Sequence, residues 1–308
     1  MVEGIHHVTA IASDGQRNIA FYRDILGLRL VKVTVNFDDP TTYHLYYGDK
    51  TGKPGSILTF FAWPQGQAGR QGAKSINAVA FRIPPDSVAF WIERLVQKGI
   101  KFSGPDTRFG QKVISMQDPD GLAIELIAVS GESDFDYWDG STVAAESAIQ
   151  GIYGVTLWFE DIKPTADLLI NQLGYKAQAT DGSYHRFISD TGKSVIDIRD
   201  VDGFWDGTIG IGSIHHLALS VIDGASQHKL GQELEKIGLM PTSQIDRKYF
   251  RSVYFREPGE TLFEIATEQP GFMIDETEAE LGTSLRLPEQ YEEIRAQLEK
   301  VLPKLKLK

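Results

Sequence analysis

Two closely similar six-residue segments lie 209 residues apart: Gly4-Ile5-His6-His7-Val8-Thr9 near the start and Ser213-Ile214-His215-His216-Leu217-Ala218 two-thirds along the chain. They are the clearest trace of a longer repeat. Short alternating apolar runs of strand type open four units, at 5–11, 76–83, 152–159 and 214–221. Each is followed by a helical pattern, over 16–26, 87–98, 163–173 and 225–237, that stops at Gly27, Gly99, Gly174 or Gly238. Further strands follow, the last of each unit at 57–63, 123–129, 194–199 and 262–267. The turns Asp118-Pro119-Asp120-Gly121 and Glu257-Pro258-Gly259-Glu260 lead into two of them. The period, roughly 60 to 75 residues, is too long for a solenoid. A strand, a helix and three strands leave one sheet face bare, so the units must pair. The pattern predicts an α+β fold of four βαβββ modules.

The module pattern divides 308 residues into a first module pair over 1–135, a linker over 136–150, a second pair over 151–270 and an extension over 271–308. In the extension, Pro288 is expected to begin a helix over 289–302. Its stripe of Tyr291, Ile294, Leu298 and Leu302 packs across a domain edge or forms a homodimer contact. The net charge of −11 argues against a nucleic-acid or anionic-membrane surface, and the basic tail over 304–308 reads as a solvated end. No stretch is long and apolar enough for a membrane span, and no signal-peptide pattern opens the chain. With no cysteine there is no disulfide, thiolate site or cysteine nucleophile. A cytoplasmic location is expected.

Glu264 lies 48 residues beyond His216 in the apolar run Thr261-Leu262-Phe263-Glu264-Ile265-Ala266. Two histidines and a carboxylate on buried strands are the ligand set of an open non-haem iron or manganese site. On a regular strand neighbouring side chains face opposite ways, so one histidine of each pair ligates, and the local pattern leaves open which. Glu125, in Leu122-Ala123-Ile124-Glu125-Leu126-Ile127, looks equally ligand-like. Its module and the next carry Asn77-Ala78 and Tyr153-Gly154 where the histidines would stand, so Glu125 is expected to pair with a cationic or amide group. His44 and His185 are expected to be hydrogen-bonded within the sheet and His228 to be exposed. The glycines of 66–72 follow no dinucleotide or phosphate-loop pattern and are expected to form a loop.

The modules, with Tyr43-His44-Leu45-Tyr46-Tyr47-Gly48-Asp49, Gly52-Lys53-Pro54-Gly55, Thr107-Arg108-Phe109-Gly110-Gln111 and Asp246-Arg247 through Tyr254 to Glu264, resemble the vicinal oxygen chelate superfamily of glyoxalases, bleomycin-resistance proteins and extradiol dioxygenases. Within it they look most like bacterial hydroquinone-cleaving dioxygenases. The resemblance implies two glyoxalase-like domains, with modules 1 and 4 sharing a metal cup. It implies His7, His216 and Glu264 as ligands of Fe(II), with Mn, Ni or Zn as other occupants, and a small aromatic substrate and O2 as reactants. It also implies Tyr254, Arg247, His6, His215 and Thr9 as surrounding catalytic residues. A glyoxalase-type lyase or isomerase would carry a second acid where Thr59 stands. A non-enzymatic metabolite-binding protein would not need the three ligands to converge.

Overall fold

The computed structural model describes residues 1–131 and 133–307; the last residue of the basic tail, Lys308, lies outside them. Module 1 comprises β1 (Gly4–Ala12), α1 (Gly15–Ile19, continuing as a π-helical turn over Ala20–Ile25), β2 (Arg29–Val35), β3 (Tyr43–Gly48) and β4 (Ile57–Ala62). Module 2 follows with β5 (Ser75–Ile83), α2 (Val88–Gln97), β6 (Phe102–Arg108), β7 (Gln111–Gln117) and β8 (Ala123–Ala128). Module 3 has β9 (Ile152–Phe159), α3 (Lys163–Asn171), β10 (Tyr175–Asp181), β11 (Tyr184–Ser189) and β12 (Val195–Asp200). Module 4 has β13 (Ile214–Val221), α4 (Gly224–Lys236), β14 (Ile245–Asp246), β15 (Arg251–Arg256) and β16 (Leu262–Thr267).

The sheets cross the linker. One runs β14-β15-β16-β13-β1-β4-β3-β2 and joins modules 4 and 1; the other runs β10-β11-β12-β9-β5-β8-β7-β6 and joins modules 3 and 2. In each, two opening strands meet antiparallel at the centre, β1 with β13 and β5 with β9. Strand alternation divides the side chains between two faces. Val8, Ala10, Leu217 and Leu219 enter the same continuous core as Val79, Phe81, Val155 and Leu157, so the sheets share one interior. The other face of each sheet forms a separate cup with its own apolar lining, around Tyr46, Ala218 and Phe250 in one and Ala80, Tyr153 and Val195 in the other.

Each central pairing carries two β-bulges, and they fall on the repeated dipeptides. His6, Asn77, Tyr153 and His215 have no partner across their ladders, while His7, Ala78, Gly154 and His216 do. A bulge places two residues against one and turns the extra side chain towards its neighbour's face. His6 and His7 accordingly both lie against the Phe250 ring, each with a centroid separation of 5.0 Å. The alternation expected of a regular strand does not hold at these positions.

The glycine-rich loop over 66–72 pairs irregularly with 205–211, through Ala68 with Ile211 and Arg70 with Thr208. A Cβ on Gly72 would fall 2.3 Å from the Trp205 carbonyl oxygen, and one on Gly210 would fall 2.5 Å from that of Gln67. The glycines there allow the two inter-module connections to touch.

The C-terminal extension differs from the single helix read from the sequence. Two short helices, α5 (Glu289–Glu292) and α6 (Arg295–Val301), are separated by a turn at Glu293 and Ile294. Leu298 and Leu302 are buried, but Ile294 is 38% exposed and the Tyr291 hydroxyl is held by the Phe37 carbonyl at 2.8 Å, so the stripe forms no continuous buried face. The segment packs on module 1 of its own chain.

Candidate functional site

The cup of modules 1 and 4 gathers His7, Thr9, His44, Tyr46, Phe61, His216, Arg247, Phe250, Tyr254 and Glu264. His7 and His216 come from the facing central strands; Glu264 comes from β16, which runs parallel to β13 and places Glu264 beside Ala218. Glu264 Oε2 lies 3.0 Å from His216 Nε2 and 3.4 Å from His7 Nε2, and the two Nε2 atoms are 3.4 Å apart. All three side chains are buried. Among the described residues this is the one group of three or more metal-type side chains whose ligand atoms converge, within 4.8 Å of one another.

The surroundings prepare these atoms for a cation. Glu264 Oε1 accepts a 2.5 Å hydrogen bond from Ser252, while Oε2, also buried, has no donor of its own. Burial alone would raise the Glu264 carboxyl, but His7 and His216 reverse that and hold it well below the usual range. Burial, only partly offset by Glu264, lowers His216. Each outer histidine meets its neighbour through Nδ1: His6 to His7 at 2.9 Å and His215 to His216 at 2.8 Å. Burial, with the neighbouring histidine, pushes both His6 and His215 down to about 3, so both are neutral. A neutral imidazole that ligates through Nε2 carries its proton on Nδ1 and donates it, which requires an acceptor there. His6 and His215 can supply one. The donor set fits a divalent metal with three protein ligands and open positions.

Other expected residues also reach the cup. Tyr254 lies edge-on to the His216 ring with centroids 5.7 Å apart. Burial and the Glu264 charge hold its phenol well above the usual value, hence protonated. The Arg247 guanidinium lies over the Tyr254 ring, 5.5 Å from the centroid, and binds both carboxylate oxygens of Asp38 at 3.1 and 3.2 Å. Asp38 and the loop carrying it were not anticipated. His44, read from sequence as a hydrogen-bonded sheet residue, is hydrogen-bonded but also lines the cup. His228 is exposed, as expected.

The second cup has the same skeleton and a different filling. By register, Glu125 beside Ala80 and Asp197 beside Thr156 match Glu264 beside Ala218 and Thr59 beside Thr9. With Ala78 and Gly154 at the histidine positions, two arginines occupy the centre. Arg108 grips both oxygens of Glu125, and Arg186 binds Asp197 at 2.7 and 2.8 Å. The carboxylates are neutralised by guanidinium groups, which leaves no metal set. A larger cavity, about 890 Å³, lies elsewhere, bordered by Ile5, Gly55 and Ile152. Its lysines are paired, Lys53 with Asp136 and Lys193 with Asp134, and among the described residues its lining includes no histidine.

Residues 4–126 match the model of the glyoxalase/bleomycin resistance protein/dioxygenase superfamily. The chain is 43% identical over 307 residues to the Bacillus subtilis protein named "Putative ring-cleaving dioxygenase MhqE", covering 98% of this chain and 99% of that one. It is 34% identical over 309 residues to "Chlorohydroquinone/hydroquinone 1,2-dioxygenase" of Sphingobium indicum, covering 96% and 95% respectively. A crystal structure of a Bacillus subtilis protein described as a "putative dioxygenase" superposes with a TM-score of 0.94 at 40% identity, covering 100% of this chain and 98% of that one. Glyoxalase I of Zea mays has the same fold, with a TM-score of 0.64 at 16% identity over 86% of this chain and 92% of that one. The fold and the buried ligand cluster define a metal-dependent enzyme of the vicinal oxygen chelate type. Within that superfamily the chain belongs to the bacterial ring-cleaving dioxygenases.

Proposed function

We propose that this enzyme opens the ring of a hydroquinone-like substrate with O2, using Fe(II) held by His7, His216 and Glu264. The observation that carries the reading is the buried Glu264 Oε2, without a hydrogen-bond donor and facing two imidazole nitrogens. When bound, a divalent iron on three protein ligands leaves positions for a ring oxygen and O2 and favours ionisation of the ring hydroxyl. His6 and His215 fix the ligand tautomers. Tyr254 presents a protonated phenol at the cup, a donor for negative charge developing on oxygen. Arg247, anchored by Asp38, sets a fixed positive charge at the mouth. The preference for a para-diol comes from the Sphingobium relative's named substrates.

Thr59 weighs against a lyase or isomerase that uses two histidines and two carboxylates, because it occupies the fourth corner without a charge. Anaerobic reconstitution with Fe(II), Mn, Ni or Zn, followed by O2-uptake measurement, tests the metal. Product analysis with 18O2 on a panel of hydroquinones and catechols tests the reaction. Label in a ring-opened acid, with Fe(II) the activating metal, is the expected result. Zinc-dependent turnover without O2 consumption would shift the assignment to a lyase, and a metal-loaded protein inert to the whole panel would remove the ring-cleavage reading.

A further inference from the structure

The corner of the cup opposite Glu264 carries a chain of hydrogen bonds. Tyr46 Oη lies 2.9 Å from His44 Nδ1, His44 Nε2 lies 2.8 Å from Thr59 Oγ1, and Thr59 donates to Thr9 Oγ1 at 2.9 Å. We infer that Tyr46, His44 and Thr59 act as positioning residues that fix the Thr9 hydroxyl as a hydrogen-bond donor into the cup, directed at a substrate ring oxygen carrying negative charge. The inference rests on the hydroquinone reading for the identity of that oxygen.

Proton counting sets the direction. A hydroxyl has one proton to donate, and a neutral imidazole has one donor and one acceptor. Thr59 uses its proton on Thr9, so His44 must donate to Thr59 from Nε2 and accept at Nδ1. The donor at Nδ1 is then Tyr46, whose phenol burial holds well above the usual value and therefore protonated. Burial, with His7, His216 and Arg247 nearby, lowers His44 well below the ordinary imidazole value, consistent with the neutral ring that the count requires. Thr9 receives one bond, and its own proton has no protein acceptor among the described residues. Thr9 is 1% exposed and borders the cup, so that proton can be used only towards the cup interior.

The register shows why this corner differs from its counterpart. His44 is placed relative to Thr59 as Ser252 is relative to Glu264: His44 pairs with Phe61, two beyond Thr59, and Ser252 pairs with Ala266, two beyond Glu264. Ser252 steadies a carboxylate that faces the ligand cluster, whereas His44 polarises a hydroxyl relay. One corner of the pseudo-symmetric cup accepts positive charge, and the other offers a proton to an anionic oxygen.

Long-range 1H–15N correlation spectra of the metal-free protein read the His44 tautomer directly. The expected result is a proton on Nε2 and none on Nδ1; the reverse tautomer overturns the relay. Anaerobic titration of hydroquinone onto the zinc-loaded protein, with zinc content measured for each variant, reads the consequence. In Tyr46→Phe the ring can reverse its tautomer, Thr59 then donates to His44, and Thr9 turns to Thr59; affinity should fall about tenfold, the size of one lost bond to a charged oxygen. In Thr59→Val the Thr9 hydroxyl loses the bond that fixes it and the relay is cut, so affinity should fall by a comparable factor, and adding Tyr46→Phe should change it no further. Equal loss from Tyr46→Phe in both backgrounds, or loss in neither, overturns the proposal. If the wild type does not bind hydroquinone, the substrate reading fails and the tautomer measurement alone decides the relay.

Discussion

Tyr46 and Tyr254 occupy equivalent places in the two halves of the cup: Tyr46 pairs across its ladder with Thr59, and Tyr254 with Glu264. Their hydroxyls have different surroundings. That of Tyr46 is engaged by His44, while Tyr254 lies between Arg247 and the His216 ring beside the ligand cluster. Tyr254→Phe keeps the ring and removes only the hydroxyl. Turnover number should fall roughly 10- to 1000-fold with metal content unchanged, the range for loss of one electrostatic donor. Loss of metal from this variant would instead place Tyr254 in support of the ligands.

Glu264 and Glu125 share a register position and should respond in opposite ways to the same substitution. Loss of Glu264, His7 or His216 should abolish metal binding and turnover, measured by metal analysis and O2 uptake. Glu125→Gln should leave turnover largely intact and lower thermal stability. Its carboxylate offsets the partly buried Arg108 guanidinium, and breaking such a pair leaves a charge uncompensated, with a penalty of up to about 3–5 kcal/mol for a fully buried one. Turnover lost without a change in melting would place Glu125 in the chemistry.

The four modules were legible because each carries local signals that do not depend on its neighbours: an alternating strand and a helix stopped by glycine, joined in modules 2 and 4 by a turn before the closing strand. The pairing of modules 1 and 4 was implied by the family resemblance alone, since no local pattern says which opening strands meet. The bulges at His6 and His215 were hidden because a bulge is a property of two ladders in register, and the dipeptide alone reads as regular alternation. The same reason hid His44. Its meeting with Thr59 follows from the β3–β4 register, and its link to Tyr46 from alternation along β3. Asp38 was hidden in a loop whose partner, Arg247, is 209 residues away.

The extension after Gly271 is tied to the site through one buried lysine. Lys32 on β2 is fully buried and pairs with Asp275 at 2.6 Å and with Glu276. It also bonds the carbonyl of Phe272, whose ring packs on both Tyr46 and Tyr249. Lys32→Ala should destabilise the protein by about 3–5 kcal/mol, because two acidic side chains lose their shared cation. Chemical denaturation should show the loss. If the extension serves the cup through this link, Lys32→Ala should also raise the KM for hydroquinone; a large stability loss with an unchanged KM would make the anchor purely structural.

Asp118 gives a pH signature separate from the metal site. Its carboxylate accepts bonds from the Tyr22 hydroxyl at 3.0 Å and from the backbone of Asp120 and Leu122, and so joins the turn of module 2 to the helical segment of module 1. Burial outweighs these bonds and raises the group from 3.8 to about 6. The folded state therefore holds this proton more tightly than the unfolded chain. The resulting stabilisation is fully present below the unfolded value near 3.8 and is lost as pH rises through about 6. Asparagine cannot ionise, so Asp118→Asn should gain stability relative to the wild type between pH 4 and pH 8, by up to roughly 3 kcal/mol. Paired denaturation curves across that range measure the difference. A wild type that gains on the variant as pH rises would show that the three hydrogen bonds, rather than burial, set the affinity of Asp118 for its proton.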